Sequence, residues 1–168
     1  MELTLFHGGK DIDKTFHYGY QPSGGVNRYQ HGTGLYLTSD IQIAQSYAKG
    51  SRSVFKVQVD LDPSTEISNI KIGLDRLDQA IYELHCAGMG KATSQKLKQY
   101  FIEKFPNGDV PLVWIVNNMV NNNLAKRYAK TINEIVISNG CTYEKTRFKS
   151  EDLYIIYDFR VIKSVSKA

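Results

Sequence analysis

Two short segments in the first fifty residues join side chains that can do chemistry to glycines. Phe6-His7-Gly8-Gly9 sets an imidazole at the end of an apolar stretch, with two glycines directly after it. Paired glycines let a backbone come close to a ligand and offer it N–H and C=O groups. Gly32-Thr33-Gly34-Leu35-Tyr36-Leu37-Thr38 ends in an aromatic ring and a hydroxyl. A helix follows, opened by Ser39 or Asp40 and carrying Ala44, Tyr47 and Ala48; Ser and Asp are both good helix N-caps. Each residue also has a plain structural use, the histidine in a turn and the tyrosines as half-buried packing groups.

The elements that must position these residues fall into three zones. Glu2 to Phe6 and Ser53 to Leu61 read as strands, the second stopped by Pro63. From about Leu74 to Asn139 the periodicity turns helical. Leu74, Leu77, Ile81 and Leu84 mark one helix, Lys91 to Phe105 a second, and Pro111 to Met119 and Leu124 to Ile137 two more, with a turn at Asn107-Gly108. Strands return with Thr142 to Phe148, a polar turn over Lys149-Ser150-Glu151-Asp152, a strand from Leu153 to Tyr157, and a closing strand within Phe159 to Val165. This is an α+β layout in which strands from both ends share one sheet and residues 74–139 form an inserted helical segment or side layer.

The 168 residues, 42% hydrophobic and 23% charged, suit one domain and exclude a disordered chain. No apolar run approaches the roughly 20 residues that span a bilayer, and Met1 to Gly9 lacks the layout of a signal peptide. The expectation is a cytoplasmic protein without membrane association. The net charge of +4 is a mild bias toward phosphates or acidic partners. Cys86 and Cys141 are too few for a zinc motif and read as two buried thiols.

Taken together, His7-Gly8, Gly32-x-Gly34-Leu35-Tyr36 and a second tyrosine eleven residues on, Tyr47, resemble the ADP-ribosyltransferase-like family. The likeness is to the branch of poly(ADP-ribose) polymerases and diphtheria toxin. The closing segment, Asn139 to Tyr143 and then Leu153-Tyr154-Ile155-Ile156-Tyr157-Asp158 and Val161 to Ser164, is similar to the last strands of bacterial and phage members. The resemblance covers roughly residues 1–62 and 135–165. It implies a split β-sheet core and NAD as substrate. His7 would bond the adenosine-side ribose, the Gly8 backbone would hold the carboxamide with Gly9 beside it, and Tyr36 and Tyr47 would sandwich the nicotinamide ring. Thr38 takes the family's small-residue position after the tyrosine. Ala44 stands where many relatives have a serine, so one carboxamide contact is absent.

The family also brings an acid into the site from a late strand, directly before the Tyr-Ile-Ile-Tyr-Asp run, and here that position is Leu153. Glu151 is the favoured substitute because residues two apart on a strand face the same side. Asp152 would need a bulge to turn inward, and Glu144 lies on the preceding strand. A carboxylate near the ribose stabilises the charge that develops as the nicotinamide leaves.

Ala87-Gly88-Met89-Gly90-Lys91-Ala92-Thr93 with Lys96 and Lys98 is similar to the hairpin of helix-hairpin-helix DNA-binding modules, where backbone N–H groups hold a phosphate. Its flanking proline is missing, and a glycine turn with solvated lysines is the plain reading. The function implied is mono-ADP-ribosyl transfer from NAD to a macromolecule. A protein is the favoured acceptor and nucleic acid the second, in a bacterial or phage effector, toxin or anti-defence protein. The alternative is a catalytically inactive module of the same fold that binds protein or nucleic acid.

Overall fold

The computed structural model describes residues 1–9, 34–48, 50, 53–148 and 150–168. In chain order these form β1 (Glu2–Gly9), β2 (Leu35–Thr38), α1 (Ile41–Tyr47), β3 (Ser53–Asp60), β4 (Lys71–Ile72), α2 (Leu74–Cys86), α3 (Lys91–Lys104), β5 (Val110–Pro111), α4 (Leu112–Asn121), α5 (Ala129–Ser138), β6 (Tyr143–Phe148), β7 (Glu151–Ile156) and β8 (Ile162–Lys167). The class is α+β. Strands from both ends of the chain build one antiparallel sheet, ordered β6-β7-β2-β1-β3-β8. The short pair β4–β5 clasps the helical segment where α2 and α4 begin.

Alternation along the strands sends side chains to two apolar clusters. Ile155 and Tyr157, with Tyr36 and Leu153 packed on them, join the cores of α2, α4 and α5 around Leu77, Ile115 and Ile132. The opposite parity, Leu5, Leu35, Leu37, Phe55, Val57, Tyr154 and Ile156, forms a second cluster. Its described members come from strands on both sides of the β1–β2 junction, from Leu61 and from the turn at Phe159–Val161, so both halves of the sheet contribute to one apolar cluster.

Three boundaries differ from the sequence expectation. β7 starts at Glu151, because Arg147 pairs Asp152 and Phe148 pairs Glu151, so two expected turn residues belong to the strand; Lys149 lies outside the described residues. The closing strand starts at Ile162, because the Asp158 carboxylate accepts from Arg160 N–H at 3.0 Å and caps a 3-10 turn first. The last helix starts at Ala129 rather than Leu124, since residues 125–128 form a turn of their own, closed by the Tyr128 N–H donating to the Leu124 carbonyl at 3.1 Å.

Helix α1 is capped by Asp40, whose carboxylate accepts from Gln42 N–H at 2.7 Å. It lies directly on β1. A Cβ at Gly8 would stand 1.7 Å from the Ala44 carbonyl oxygen, and Ala44 itself is 1% exposed. Glycine at position 8 is therefore required by helix packing against the backbone of Ala44. Gly34, directly before β2, is held close to β7 instead, where a Cβ would come within 2.5 Å of the Ile156 carbonyl oxygen. Gly8→Ala is expected to lower stability by about 3 kcal/mol or more, the scale of a backbone clash in a packed interior. Gly90→Ala, at the N-cap of α3 where a Cβ meets nothing within 4 Å, should cost no more than about 1 kcal/mol, the scale of a weakened cap. Urea denaturation of the two variants beside wild type checks this, and equal losses would refute it.

Candidate functional site

The sheet has a weak seam at the chemically interesting residues. β1 pairs β3 along its whole length, from Glu2–Asp60 to Gly9–Ser53, and β2 pairs β7 over all four of its residues. Between β1 and β2 the ladder among the described residues is a single pair, Phe6 with Thr38. Beyond it, His7 spans the seam: its Nδ1–H donates to the Tyr36 carbonyl oxygen at 2.9 Å. A carbonyl only accepts, so this bond sets which ring nitrogen carries the proton and holds the imidazole in place.

The structure thus brings His7, Gly8 and Tyr36 together where two strands diverge. Gly9 leaves room for the imidazole, since a Cβ there would lie 2.8 Å from His7 Nε2. Thr38 is buried, and its Oγ1 accepts from Asp40 N–H at 3.1 Å, tying the end of β2 to the start of α1. Tyr47 is the last residue of α1 and is 52% exposed. Gly32 and Thr33 lie outside the described residues.

The strand register sorts the candidate acids. Leu153 pairs Thr38 and packs on the helical cluster, so an apolar contact occupies the position where an acid was looked for. Glu151 has the same parity as Leu153 and Ile155 and is half-buried, past the end of β2. Asp152 has the opposite parity, and the β6–β7 register runs from Tyr143–Ile156 to Phe148–Glu151 without a shift. Its carboxylate forms an ion pair with Lys145 Nζ at 3.0 Å. Asp152 therefore faces away from Tyr36.

Glu144 is the buried acid. It pairs Ile155, which on its other side pairs Tyr36, so Glu144, Ile155 and Tyr36 lie in one cross-strand row with the same facing. The Tyr157 hydroxyl donates to Glu144 Oε2 at 2.9 Å. Nearby, Glu66 is also buried, but its carboxylate accepts from Ser68 N–H, the Ser68 hydroxyl and Lys145 N–H. Burial raises the Glu144 carboxyl to about 7, opposed by the Tyr157 hydrogen bond and reinforced by the Glu66 charge. The Tyr157 hydroxyl is pushed well above its ordinary range, chiefly by burial. The sequence pointed to Glu144 only as a residue on the neighbouring strand; its partnership with Tyr157 depends on β6–β7 register.

The other sequence features have structural explanations. Gly88, at φ 110°, reverses the chain between α2 and α3 while Met89 is buried beneath, and Lys98 is paired with Asp78 at 2.7 Å. The two thiols differ from expectation: Cys141 is buried, its thiol raised by burial, but Cys86 is exposed at the end of α2, where the helix turns its outer face to solvent. A groove of about 860 Å³ at the start of α2, lined by residues including Arg76, Gln79 and Asn107, contains none of the candidate site residues. Among the described residues no group of His, Cys, Asp and Glu is placed to hold a metal, and no helix is long and apolar enough to cross a membrane.

No family model and no curated protein matches the chain. Among solved structures it is similar to the crystal structure of an anti-CRISPR protein, at 13% identity and a TM-score of 0.43, covering 100% of this chain and 96% of that one.

The raised Glu144 carboxyl makes stability depend on pH. Below the ordinary carboxylate range the group is protonated in both folded and unfolded chains. As pH rises from about 4.5 to about 7, the unfolded chain releases the proton while the folded chain keeps it. The stability contributed by the neutral acid is therefore lost across that window, by about 3 kcal/mol in total. Glu144→Gln, which keeps an acceptor for Tyr157 and cannot ionise, should be more stable than wild type at pH 8, with the difference shrinking toward pH 4.5. Denaturant midpoints of both proteins across this range test it; parallel curves would exclude a titrating Glu144.

Proposed function

We propose that the protein is an NAD-dependent mono-ADP-ribosyltransferase of the ADP-ribosyltransferase-like fold. The observation that carries this reading is the seam itself. His7, Gly8 and Tyr36, drawn from two separate sequence motifs, meet where β1 and β2 part, joined by the His7–Tyr36 bond of 2.9 Å. A sheet whose halves share one described ladder pair between β1 and β2 and feed a common apolar cluster supports the split-sheet architecture. In this reading His7 bonds the adenosine-side ribose, the Gly8 backbone holds the carboxamide, and Tyr36 and the outer ring of Tyr47 enclose the nicotinamide. Thr38 and Gly9 shape the pocket floor.

Loss of nicotinamide leaves an oxocarbenium-like ribose, and Glu151 is the carboxylate assigned to stabilise that charge. Its parity with Leu153 and Ile155 on β7 supports the assignment. Leucine at 153 favours a single transfer over chain elongation. The acceptor is a macromolecule, a protein in the first instance, met by the helical lobe through its exposed Tyr82, Tyr100 and Trp114. A second reading, a non-catalytic module of this fold, is favoured by the apolar packing of Leu153 and the burial of Ala44.

Incubation with labelled NAD and a bacterial lysate separates the two. Transfer of label by wild type, reduced at least about 100-fold in His7→Ala and Glu151→Ala, the scale of losing a group that acts on transition-state charge, is the expected result. Undiminished transfer by Glu151→Ala would move the acid elsewhere. NAD-dependent thermal stabilisation without transfer or NAD hydrolysis would establish the binding module instead.

A further inference from the structure

Glu144 has no part in that reading, yet it is the least compensated buried carboxyl near the seam. Glu66 beside it accepts three hydrogen bonds, whereas the bond that holds Glu144 comes from the Tyr157 hydroxyl. A buried carboxyl held in this way is neutral or ionised according to what charge stands near it. The groups that face it are Tyr157 from the end of β7, Glu66 from the turn after Pro63, and Cys141 from the approach to β6. Tyr36 adjoins Tyr157 from β2. Among the described residues these facing groups include acids, hydroxyls and a thiol but no cation. Lys145, the nearest basic residue in sequence, has the opposite parity on β6 and pairs with Asp152.

The row Glu144–Ile155–Tyr36 places the carboxyl two strands from Tyr36 on the same face, a backbone separation of roughly 10 Å at ordinary strand spacing. The space between is filled by Ile155, 0% exposed, and Tyr157, 3% exposed, so water does not screen it. A ring stacked on Tyr36 therefore lies within electrostatic reach of Glu144 through a low-dielectric interior. Oxidised nicotinamide carries a positive charge, and the reduced ring and ADP-ribose do not.

We propose that Glu144 is the charge-recognition residue of the site: binding of oxidised NAD draws the proton off Glu144, and the carboxylate so formed, held by the Tyr157 hydroxyl, favours the cationic ring over uncharged or nicotinamide-free ligands. The proton passes to solvent buffer, and no bond to the ligand forms or breaks. Glu144 acts through space and is a positioning residue for charge. The inference rests on the NAD reading above and adds to it a preference for the oxidised dinucleotide that strengthens with pH.

The test is equilibrium binding of NAD⁺, NADH and ADP-ribose to the full chain at pH 6 and pH 8, with calorimetry in two buffers of different ionisation enthalpy. NAD⁺ affinity should rise by on the order of tenfold between the two pH values, the size of a unit-charge interaction across such a distance at intermediate dielectric. Net proton release should accompany NAD⁺ binding near pH 6.5, while NADH and ADP-ribose show neither effect. Glu144→Gln should abolish the pH dependence for NAD⁺ and leave ADP-ribose affinity as it was. Tyr157→Phe, which removes the donor to the carboxylate, should move the NAD⁺ transition to higher pH. The wild-type comparison of three ligands needs no variant to fold. Equal pH dependence for all three, or its survival in Glu144→Gln, overturns the role of Glu144 while leaving the NAD site standing. Failure of every one of the three ligands to bind overturns the NAD reading and this inference together.

Discussion

The structure is organised around a seam between β1 and β2 that is barely a ladder. Two strands that are neighbours in the sheet share the pair Phe6–Thr38, while the ladders on either side of them are long. Both sides of the seam feed one apolar cluster, Leu5 and Val57 from one side and Tyr154 and Ile156 from the other. What holds the seam is not the ladder but contacts across it: the His7 bond to the Tyr36 carbonyl, and α1 lying on Gly8 while tied to β2 through Thr38. Each of these uses a residue type that cannot be exchanged freely. Imidazole supplies a fixed donor, glycine removes a Cβ that would collide with the helix backbone, and threonine offers a hydroxyl at the cap.

The helical segment is part of the same construction rather than an appendage. Ile155 and Tyr157 belong to its apolar cluster, and Tyr36 and Leu153 pack on it. The face of β2 and β7 that carries the candidate site is therefore backed by α2, α4 and α5, and the orientation of Tyr36 depends on how those helices seat. The buried polar groups follow from this arrangement. Helical packing on that face removes water from Glu144 and Tyr157, and desolvation is the first cause of the shifts in both. Glu66, also buried, is held by hydrogen bonds from the backbone and hydroxyl of its own turn and from the N–H of Lys145.

Sequence patterning was informative where local rules dominate. The change from strand to helical periodicity near Leu74 and back near Gly140, the cap at Asp40 and the turns at Gly88 and Gly108 all follow from side-chain spacing and from what glycine and aspartate do to a backbone. His7-Gly8 and Gly34-Leu35-Tyr36 stand out in the sequence as two glycine-linked motifs, but nothing in their spacing shows that they meet between β1 and β2. The hairpin of β6 and β7 was legible as two strands and a polar turn, but the end of the turn was not, because polar residues at a tight turn and polar residues on a strand look alike until pairing sets the register. Alternation alone sets Glu151 with Leu153 and Asp152 on the other face, and the β6–β7 pairing adds that both belong to the strand and not to its turn.

The chain by itself thus determined the class of fold, the residue types at the seam and the absence of an acid at position 153, since these depend on local identity and spacing. Only the tertiary structure decided that Gly8 serves a helix, that Asp152 is spent on Lys145, and that Glu144 is buried against Tyr157 in line with Tyr36. Those facts arise from contacts between segments far apart in sequence. No local pattern encodes how far water is excluded from a carboxyl or which backbone atom lies opposite a missing Cβ.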